Sequence, residues 1–290
     1  MDDLLRALSD AGIAVEEDVS ARKLSTFAAG GMVHHLVLPT DAASLHTAIR
    51  LMQGVRYHVL GGGSNTLISD FGLEWVLCTR RMRGTSVDGL VVRAGAGEML
   101  PALARTAADH GLGGLEFACG IPGTVGGALR MNAGAFGQAM SDTVMSATVV
   151  DSEGAHVVCK DELHLRYRDS TIRGIVADVT FACAPKETRQ VEATMRDMQA
   201  ARAQRQPHQP SLGCVFKAAG GTPAAKLIQG CGLKGTRIGQ AQLSGIHCNF
   251  IINAGGATAR DYLRLVDVVK VAVHERYGVY LEEEFVHMHD

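Results

Sequence analysis

The 290-residue sequence lacks several features that would assign it to a class of protein at once. It has no excess of positive charge, since 28 lysines and arginines stand against 30 aspartates and glutamates, for a net charge of −2. A protein that binds nucleic acid or an anionic membrane surface usually carries a basic patch, so both kinds of partner are disfavoured. No apolar run approaches the roughly 18 residues of a membrane-spanning helix, so we expect no membrane partner.

Cysteine and histidine are present, but not in the spacing of a metal site or a disulfide framework. The seven cysteines are an odd number without a CxxC pair, and the 12 histidines contain no HExxH pattern. These patterns argue against disulfides and predict no metal site. The sequence starts with acidic residues rather than the basic start of a secretory signal, so we expect a cytoplasmic protein.

The length exceeds that of one typical domain, and the pattern predicts three regions. Their boundaries are 1–75, 76–185 and 186–290, with the option that the last strand returns to the first region. Apolar periodicity and turn residues predict their elements. These elements are a strand over 34–39, a helix from Thr40 or Asp41 to Met52, a strand over 57–60, a helix near 101–110, a hairpin at 151–154, a helix through Val191, Met195 and Met198, a helix near 258–276 and a strand over 279–288.

A first glycine cluster directly follows the strand that ends at Leu60. It reads Gly61-Gly62-Gly63-Ser64-Asn65. Consecutive glycines permit positive φ and leave backbone N–H groups open to a close-lying anion, while the serine and asparagine add side-chain hydrogen bonds. A tight turn after a strand explains the same letters, and both interpretations stay open for this cluster alone.

A second cluster runs from Gly120 to Ala128 and continues through Asn132 to Gly137. Pro122 fixes one φ angle, and a helix that starts at Val125 would turn its first N–H groups towards a phosphate. Two such clusters at strand ends favour a pyrophosphate held from two sides. Neither matches GxGxxG with a later acid or GxxxxGK[ST], so a Rossmann site is disfavoured and a P-loop is excluded.

The longer motifs resemble one known family. VLGGGSNTLISD, GLEFACGIPGTVGGALRMNAGAFG, YRDS, PSLGCVFK and AAKLIQGCGLKGTRIGQAQLSGIHCNFIIN occur in the order and spacing of the UDP-N-acetylenolpyruvoylglucosamine reductases. These flavoenzymes make UDP-N-acetylmuramate for peptidoglycan. The similarity extends from about residue 24 to residue 286, and the short third region resembles the shorter of the two family subtypes.

The resemblance implies an α+β fold. Two α/β regions of the vanillyl-alcohol-oxidase-like type would bind FAD tightly and without a covalent bond, and a C-terminal α+β region would bind the substrate. It also implies that NADPH reduces the flavin, that the enolpyruvyl UDP-sugar then takes hydride at its β-carbon, and that the α-carbon is protonated. We expect a monomer. The cofactor-binding residues implied are Gly61, Gly62, Gly63, Ser64, Asn65, Gly120, Ile121, Pro122, Gly123, Thr124, Gly127, Ala133 and Gly134.

The resemblance assigns catalytic roles to an arginine and a glutamate. Arg168, in the YRDS motif, matches the arginine that contacts the substrate carboxylate, a task that suits a permanently charged guanidinium. Without the family, a surface ion pair with Asp169 would be the simpler interpretation. Glu284 matches the family acid, and strand alternation would place it on one face with Tyr280, Val286 and Met288. A solvated acidic edge is the simpler alternative, with Glu282 as the rival residue.

Cys214 stands where most family members carry a serine, the proton donor to the reaction intermediate. A thiol has a reference pKa of about 8.5, several units below that of an alcohol, so the replacement keeps an acidic donor atom. It also makes the position sensitive to thiol reagents and oxidation. We interpret the other six cysteines as volume fillers and Cys214 as catalytic.

The resemblance places four residues near the substrate, namely Tyr167, Lys217, His247 and Asn249. For Lys217, the substrate phosphates and the nicotinamide cofactor are both open as partners. It is followed by Ala218-Ala219 where the family often has Asn-Pro, which calls one expected substrate hydrogen bond into question. An ordinary buried polar pair remains the alternative for His247 and Asn249, and Lys226 and Arg237 are weaker phosphate-binding candidates.

Two other functions remain open at this point. A different flavoenzyme with the same cofactor-binding architecture would explain the glycine clusters, but not Arg168, Cys214 and Glu284 together. A catalytically idle UDP-sugar-binding protein is supported only by the cysteine at 214 and the missing Asn-Pro.

Overall fold

A computed structural model describes residues 2–290, which form two compact units. The first unit contains residues up to 17, 35–62 and 75–202, and the second contains 18–34, 63–74 and 203–290. The three-region division of the sequence stays a prediction. Within residues 2–290, no helix combines the length and apolarity needed to cross a membrane.

Helices and strands alternate irregularly along the chain. The helices are α1 (Asp2–Asp10), α2 (Ala42–Leu51), α3 (Leu100–Asp109), α4 (Val125–Arg130), α5 (Met140–Thr143), α6 (Thr188–Arg205), α7 (Ala224–Gly230) and α8 (Ala259–Tyr277). The strands are β1 (Ala14–Ser20), β2 (Met32–Leu38), β3 (His58–Leu60), β4 (Thr66–Ile68), β5 (Leu73–Cys78), β6 (Thr85–Asp88), β7 (Val91–Gly95), β8 (Leu112–Gly113), β9 (Gly134–Ala135), β10 (Gln138–Ala139), β11 (Val144–Val150), β12 (Ala155–Cys159), β13 (Ile175–Ala182), β14 (Ala184–Pro185), β15 (Ser211–Cys214), β16 (Arg237–Ile238), β17 (Ala241–Leu243), β18 (Phe250–Asn253) and β19 (Val286–Met288).

The first unit is built on a five-stranded sheet of order β12-β11-β13-β7-β6, in which each strand pairs antiparallel with its neighbours. Helix α3 packs on its core because Leu100, Leu103, Ala104 and Ala107 recur at helical spacing and are all buried. The hairpin predicted at 151–154 is confirmed, since the Asp151 N–H donates to the Gly154 carbonyl between β11 and β12.

The first unit also contains the predicted strand–helix–strand start. Helix α2 begins after Asp41, whose carboxylate accepts a hydrogen bond from the Ser44 N–H at 2.8 Å in a capping box. Strand β3 follows and pairs in parallel with β5, and its last residue Leu60 leads directly into the first glycine cluster. The helix predicted from residue 40 or 41 to Met52 is confirmed.

The second unit contains a four-stranded sheet of order β15-β18-β17-β16, covered by α8. Thr258 and Asp261 form a capping box at the start of α8, and Gly278, at φ +66°, ends the helix in the left-handed conformation. The predicted helix near 258–276 is therefore confirmed. The last strand, β19, pairs in parallel with β4, with Val286 opposite Thr66.

The strand predicted over 279–288 is wrong for most of its length. Only Val286–Met288 is a strand, and residues 279–285 are irregular apart from one isolated bridge between Glu283 and Phe216. Leu281 and Phe285 are both buried, at 5% and 6% exposure, so the inward-facing residues are four apart rather than two. Tyr280 is 79% exposed, which separates it from the buried Met288 with which it was expected to share a face.

Candidate active site

In the first unit, the start of the first glycine cluster packs against the second cluster. A Cβ atom on Gly62 would lie 3.0 Å from the Gly123 Cα and 3.2 Å from the Thr124 backbone nitrogen. A Cβ on Gly61 would lie 2.7 Å from the Thr124 hydroxyl. A side chain at either glycine would therefore require its neighbours to shift, so the close approach of these segments favours glycine.

Thr124 lies at this contact and has an unusual side chain. Its hydroxyl oxygen is buried and has no hydrogen-bond partner among residues 2–290. Most buried polar atoms are paired, so an orphaned hydroxyl beside a glycine cradle fits a polar ligand group such as those of FAD. The residues present are thus compatible with the predicted cofactor.

Helix α4 begins at Val125, as predicted, but its first N–H groups are already engaged. The Val125 N–H donates to the Glu98 carbonyl at 2.8 Å and the Gly126 N–H donates to the Ala96 carbonyl at 2.9 Å. The expectation that the first N–H groups of this helix face a phosphate is wrong for these two groups, because the neighbouring chain has satisfied them.

The other predicted cofactor residues of the first unit lie in or next to the second glycine cluster. A Cβ on Gly120 would meet the Arg202 side chain at 3.0 Å, and a Cβ on Gly127 would lie 3.5 Å from the Thr124 hydroxyl. Ile121 packs on the core, and the Ala133 N–H closes the end of α4 on the Ala128 carbonyl. Pro122 lies between Ile121 and Gly123, and their contact with the cofactor stays a prediction.

Gly63, Ser64 and Asn65 belong to the second unit. Gly63 has a φ of +66°, and a Cβ there would lie 1.8 Å from the Leu24 carbonyl oxygen, so only glycine fits. The Asn65 amide donates to the Glu284 carbonyl at 2.9 Å, and the Asn65 carbonyl accepts from the Val286 N–H at 2.9 Å. Asn65 thus fixes the backbone on both sides of Phe285, next to the predicted catalytic residue Glu284. A contact between Asn65 and the cofactor stays a prediction.

Arg168 adopts a backbone conformation that is uncommon for a side chain of its size. Its φ is +55°, its guanidinium donates to the Gly134 carbonyl at 3.2 Å, and it lies 5.1 Å from the centroid of the Tyr167 ring. Tyr167 itself is 59% exposed. Left-handed backbone at a residue other than glycine is often found at functional sites, where the surrounding structure enforces it.

Asn132 holds the turn that carries Arg168, and the sequence analysis did not single it out. Its amide nitrogen donates to the Arg166 carbonyl at 2.9 Å, and its amide oxygen accepts from the Ser141 N–H at 3.0 Å. Asn132 is 7% exposed and has a φ of +39°. Asparagine tolerates that conformation better than most residues, which is the only signal in the sequence for this role.

In the second unit, Cys214 ends strand β15 after Gly213, whose φ is +81°. Asn249 braces the turn that follows. Its amide oxygen accepts from the Phe216 N–H at 3.0 Å, its amide nitrogen donates to the Phe216 carbonyl at 2.8 Å, and its own carbonyl accepts from the Val215 N–H at 2.9 Å. Asn249 is therefore a buried residue that fixes the turn, and a contact with substrate stays a prediction.

The Cys214 turn is joined to the segment that contains Glu284. The Glu284 N–H donates to the Val215 carbonyl at 2.8 Å, and the bridge between Glu283 and Phe216 lies beside it. The two segments lie about 70 residues apart in sequence. The structure thus brings together the surroundings of two residues that the sequence analysis named as catalytic.

Two of the three consecutive glutamates form ion pairs with lysines. The Glu282 carboxylate pairs with the Lys217 ammonium, and the Glu283 carboxylate pairs with the Lys270 ammonium. Each of these two carboxylates therefore has a lysine as its counter-ion. Lys217, predicted to bind substrate, is half-buried and already engaged by Glu282.

His247 is half-buried near the same turn. Its Nδ1 accepts a hydrogen bond from the Asn249 N–H at 3.3 Å, and its ring lies edge-on to Phe250 at 4.9 Å. Burial lowers the pKa of His247 below its ordinary value, with a smaller opposing effect from a backbone hydrogen bond. A neutral imidazole is consistent with Nδ1 as an acceptor, and its contact with substrate stays a prediction.

Tyr262 of α8 is a polar residue of this region that the sequence analysis missed. It is fully buried, and its hydroxyl has no hydrogen-bond partner within the described part of the chain. In sequence it has the helical spacing of the core residues Leu265 and Val266, so no pattern distinguishes it from them. Among residues 2–290, no group of three or more histidines, cysteines or acids is arranged to bind a metal.

Comparisons with known proteins agree with these observations. Residues 33–160 match the FAD binding domain family, and residues 206–288 match the family described as UDP-N-acetylenolpyruvoylglucosamine reductase, C-terminal domain. The protein named UDP-N-acetylenolpyruvoylglucosamine reductase 2 from Symbiobacterium thermophilum is 44% identical over 264 residues, which cover 88% of this chain and 86% of that one.

Solved structures support the same assignment. The crystal structure of the UDP-N-acetylenolpyruvylglucosamine reductase from Thermus caldophilus aligns with a TM-score of 0.83 at 34% identity, over 96% of this chain and 100% of that one. Berberine bridge enzyme from Eschscholzia californica aligns at 0.50 and 17% identity over 64% of this chain and 44% of that one, which shows a shared fold alone. The predicted α+β fold with an FAD-binding region is confirmed, and the chain belongs to the UDP-N-acetylenolpyruvoylglucosamine reductase family.

Proposed function

We propose that this chain is an FAD-dependent oxidoreductase that reduces UDP-N-acetylglucosamine enolpyruvate to UDP-N-acetylmuramate in peptidoglycan precursor synthesis, with NADPH as the reductant. Family membership supports the reaction class. The observation that carries the proposal is the hydrogen bond from the Glu284 N–H to the Val215 carbonyl, because it joins the Cys214 turn to the predicted acid.

The glycine cradle of the first unit is proposed to hold the cofactor. Gly61 and Gly62 let their backbone pack closely against Gly123 and Thr124, and the Thr124 hydroxyl, unpaired among residues 2–290, is proposed to bond to a polar group of FAD. Bound FAD supplies the hydride that it receives from NADPH. The binding of FAD by these residues is supported by the orphaned hydroxyl and by the match of residues 33–160.

Arg168 is proposed to bind the substrate carboxylate. When hydride reaches the β-carbon, negative charge builds on the α-carbon and spreads onto that carboxylate. A fixed guanidinium stabilises this charge without reorganisation, an effect worth about 3–4 kcal/mol for one well-placed donor. The Gly134 carbonyl and the Tyr167 ring hold the guanidinium in one orientation, which supports such a role.

Cys214 is proposed to deliver the proton that completes the reaction. The bond from sulfur to hydrogen breaks, a bond from the α-carbon to hydrogen forms, and the thiolate is later reprotonated from solvent. Such proton donation contributes about 10²–10⁴-fold in rate. Glu284, in its acid form, is proposed to donate a hydrogen bond to the negatively charged carboxylate of the substrate before this proton transfer.

We also propose that the enzyme is a monomer and acts in the cytoplasm. All seven cysteines are thiols rather than disulfides, which is typical of a reducing compartment. Size-exclusion chromatography with light scattering tests the first statement, and a mass near 30.7 kDa is the expected result.

An anaerobic assay in two steps tests the proposed function. The purified protein should be yellow, NADPH should bleach its absorbance, and the enolpyruvyl UDP-sugar should restore the colour with formation of one equivalent of product. UDP-N-acetylglucosamine, which lacks the enolpyruvyl group, should not restore it. Reduction of the flavin by alcohols, with oxygen consumption in air and no response to the UDP-sugar, would instead indicate another flavoenzyme. A colourless protein would indicate an idle binding protein.

A further inference from the structure

Tyr262 contacts the C-terminal segment that is bridged to the Cys214 turn. Its ring makes edge-on contacts with Phe27, at a centroid distance of 4.9 Å, and with Phe285, at 5.0 Å. Phe285 directly follows Glu284, whose N–H is bonded to the residue after Cys214. The tyrosine ring therefore packs directly on the C-terminal segment, and it shares one buried core cluster with Val215 and Phe216 of the Cys214 turn.

The hydroxyl of Tyr262 needs an explanation. It is fully buried and has no hydrogen-bond partner among residues 2–290, although a phenylalanine would fill the same space without leaving a polar atom unpaired. A buried polar group without a partner is destabilising, so its presence indicates a partner in another state of the site.

Three ionisable side chains act on this hydroxyl. Burial raises the pKa of Tyr262 well above its ordinary value, and the charges of Glu283, Cys214 and Glu284 raise it further. The phenol therefore keeps its proton at any physiological pH and acts as a hydrogen-bond donor. Glu283 already pairs with Lys270.

We propose that the Tyr262 hydroxyl is a positioning residue that donates a hydrogen bond to the Cys214 sulfur once that sulfur is a thiolate. Its relevance to catalysis rests on the proposed function of Cys214. The thiol needs no such donor, which accounts for the unpaired hydroxyl, whereas the thiolate formed by proton transfer is a strong acceptor. No proton leaves Tyr262, because the tyrosine only stabilises the charge that Cys214 acquires.

The alkylation rate of Cys214 as a function of pH tests this inference on the FAD-loaded enzyme. Iodoacetamide reacts with the thiolate, so the midpoint of the rate profile reports the pKa of the thiol. In Tyr262→Phe the midpoint for Cys214 should rise, and below the midpoint the rate should fall about tenfold, as expected for a lost hydrogen bond to a charged group. Exposed Cys159 provides an internal reference when both peptides are followed by mass spectrometry.

Two controls separate this role from a structural one. Tyr280→Phe makes the same chemical change at a side chain that is 79% exposed and should leave both profiles unchanged. Phenylalanine fills the space of Tyr262, so the variant should fold, which its thermal unfolding and its flavin content will report. A Cys214 midpoint identical to that of the parent overturns the inference.

A failure of the proposed function can be distinguished from a failure of the Tyr262–Cys214 hydrogen bond. The alkylation profile needs neither NADPH nor the UDP-sugar, so it reports the contact between Tyr262 and Cys214 whatever the reaction is. Turnover of the UDP-sugar by Cys214→Ala at the parental rate would refute the proton donor, and the shifted midpoint in Tyr262→Phe would still establish the hydrogen bond.

Discussion

The two units carry their predicted functional residues in different ways. In the first unit, the backbones of Gly62 and Gly123 lie so close together that a Cβ on Gly62 would require Gly123 to shift, and the main chain forms the predicted cofactor-binding surface. In the second unit, buried side chains brace one turn, with Asn249 on the backbone of Phe216 and Tyr262 against Phe285. Substitutions at Gly62 or Gly123 in the first unit should therefore affect cofactor retention, and those around the Cys214 turn of the second unit should affect proton transfer.

Apart from Cys214→Ala, the largest effect is expected for Glu284→Gln. An amide has the shape of the acid but cannot supply its acidic hydrogen, so the second half-reaction should slow by about 10²-fold or more. Reduction of the flavin by NADPH should stay near the parental rate, as stopped-flow absorbance will show.

Glu282→Gln is the matched control for that variant, since its carboxylate already pairs with Lys217. It should have the smaller effect on the second half-reaction. If Glu282→Gln proves the more damaging of the two, the choice of Glu284 is wrong, and equal losses in both half-reactions would indicate a folding defect.

Gly62→Ala should lower the flavin content of the purified protein. The added Cβ would lie 3.0 Å from the Gly123 Cα, and such overpacking against backbone typically costs about 1–3 kcal/mol, or roughly 5-fold to 150-fold in affinity. The ratio of flavin to protein absorbance measures the loss. Gly245→Ala is the control, because a Cβ there meets nothing within 4 Å, and full loss of flavin in both variants would contradict the account.

Asn249→Ala should destabilise the second unit through the Cys214 turn. It leaves the N–H and the carbonyl of the buried Phe216 without their partner, at a cost of about 1–3 kcal/mol in the free energy of unfolding. Urea denaturation followed by circular dichroism measures this cost. Asn65→Ala removes one hydrogen bond, to the Glu284 carbonyl, and should cost less; the reverse order would show that Asn249 is not the main brace.

The smallest effect is expected for the contribution of His247 to the pH dependence of thermal stability. Because burial lowers its folded-state pKa, the unfolded chain binds the proton more tightly. The folded state with a neutral His247 keeps its full stability above the ordinary pKa of 6.5. That stability is lost as pH falls from 6.5 towards the lower folded-state pKa, because the unfolded chain then takes up the proton first. His247→Phe should flatten the dependence of thermal stability on pH in this window, and an unchanged slope would exclude His247 as its source.

The sequence predicted the first unit better than the second, for physical reasons. A site formed by closely packed backbone needs glycine, and clusters such as Gly61–Gly63 and Gly120–Gly127 can be recognised directly in the sequence. The hydrogen bonds of the Val125 and Gly126 N–H groups were not predictable, because they depend on Glu98 and Ala96 after folding. Asn132 was quoted within a motif, yet its hold on Arg166 required the structure.

In the second unit the decisive facts are contacts between distant segments. Cys214 and Glu284 were identified through family resemblance, whereas the strand expected around Glu284 is wrong because Leu281 and Phe285 are buried at a spacing of four. Tyr262 could not be distinguished from an ordinary helical core residue. Its unpaired hydroxyl becomes visible only when the packing of α8 is known.

Cys214→Ala in the anaerobic two-step assay tests the central claim most directly. We predict that NADPH reduces its flavin at nearly the parental rate, that reoxidation by the enolpyruvyl UDP-sugar slows by about 10²–10⁴-fold, and that Cys214→Ser retains substantial activity. Reoxidation of Cys214→Ala at the parental rate would contradict the claim that this thiol donates the proton.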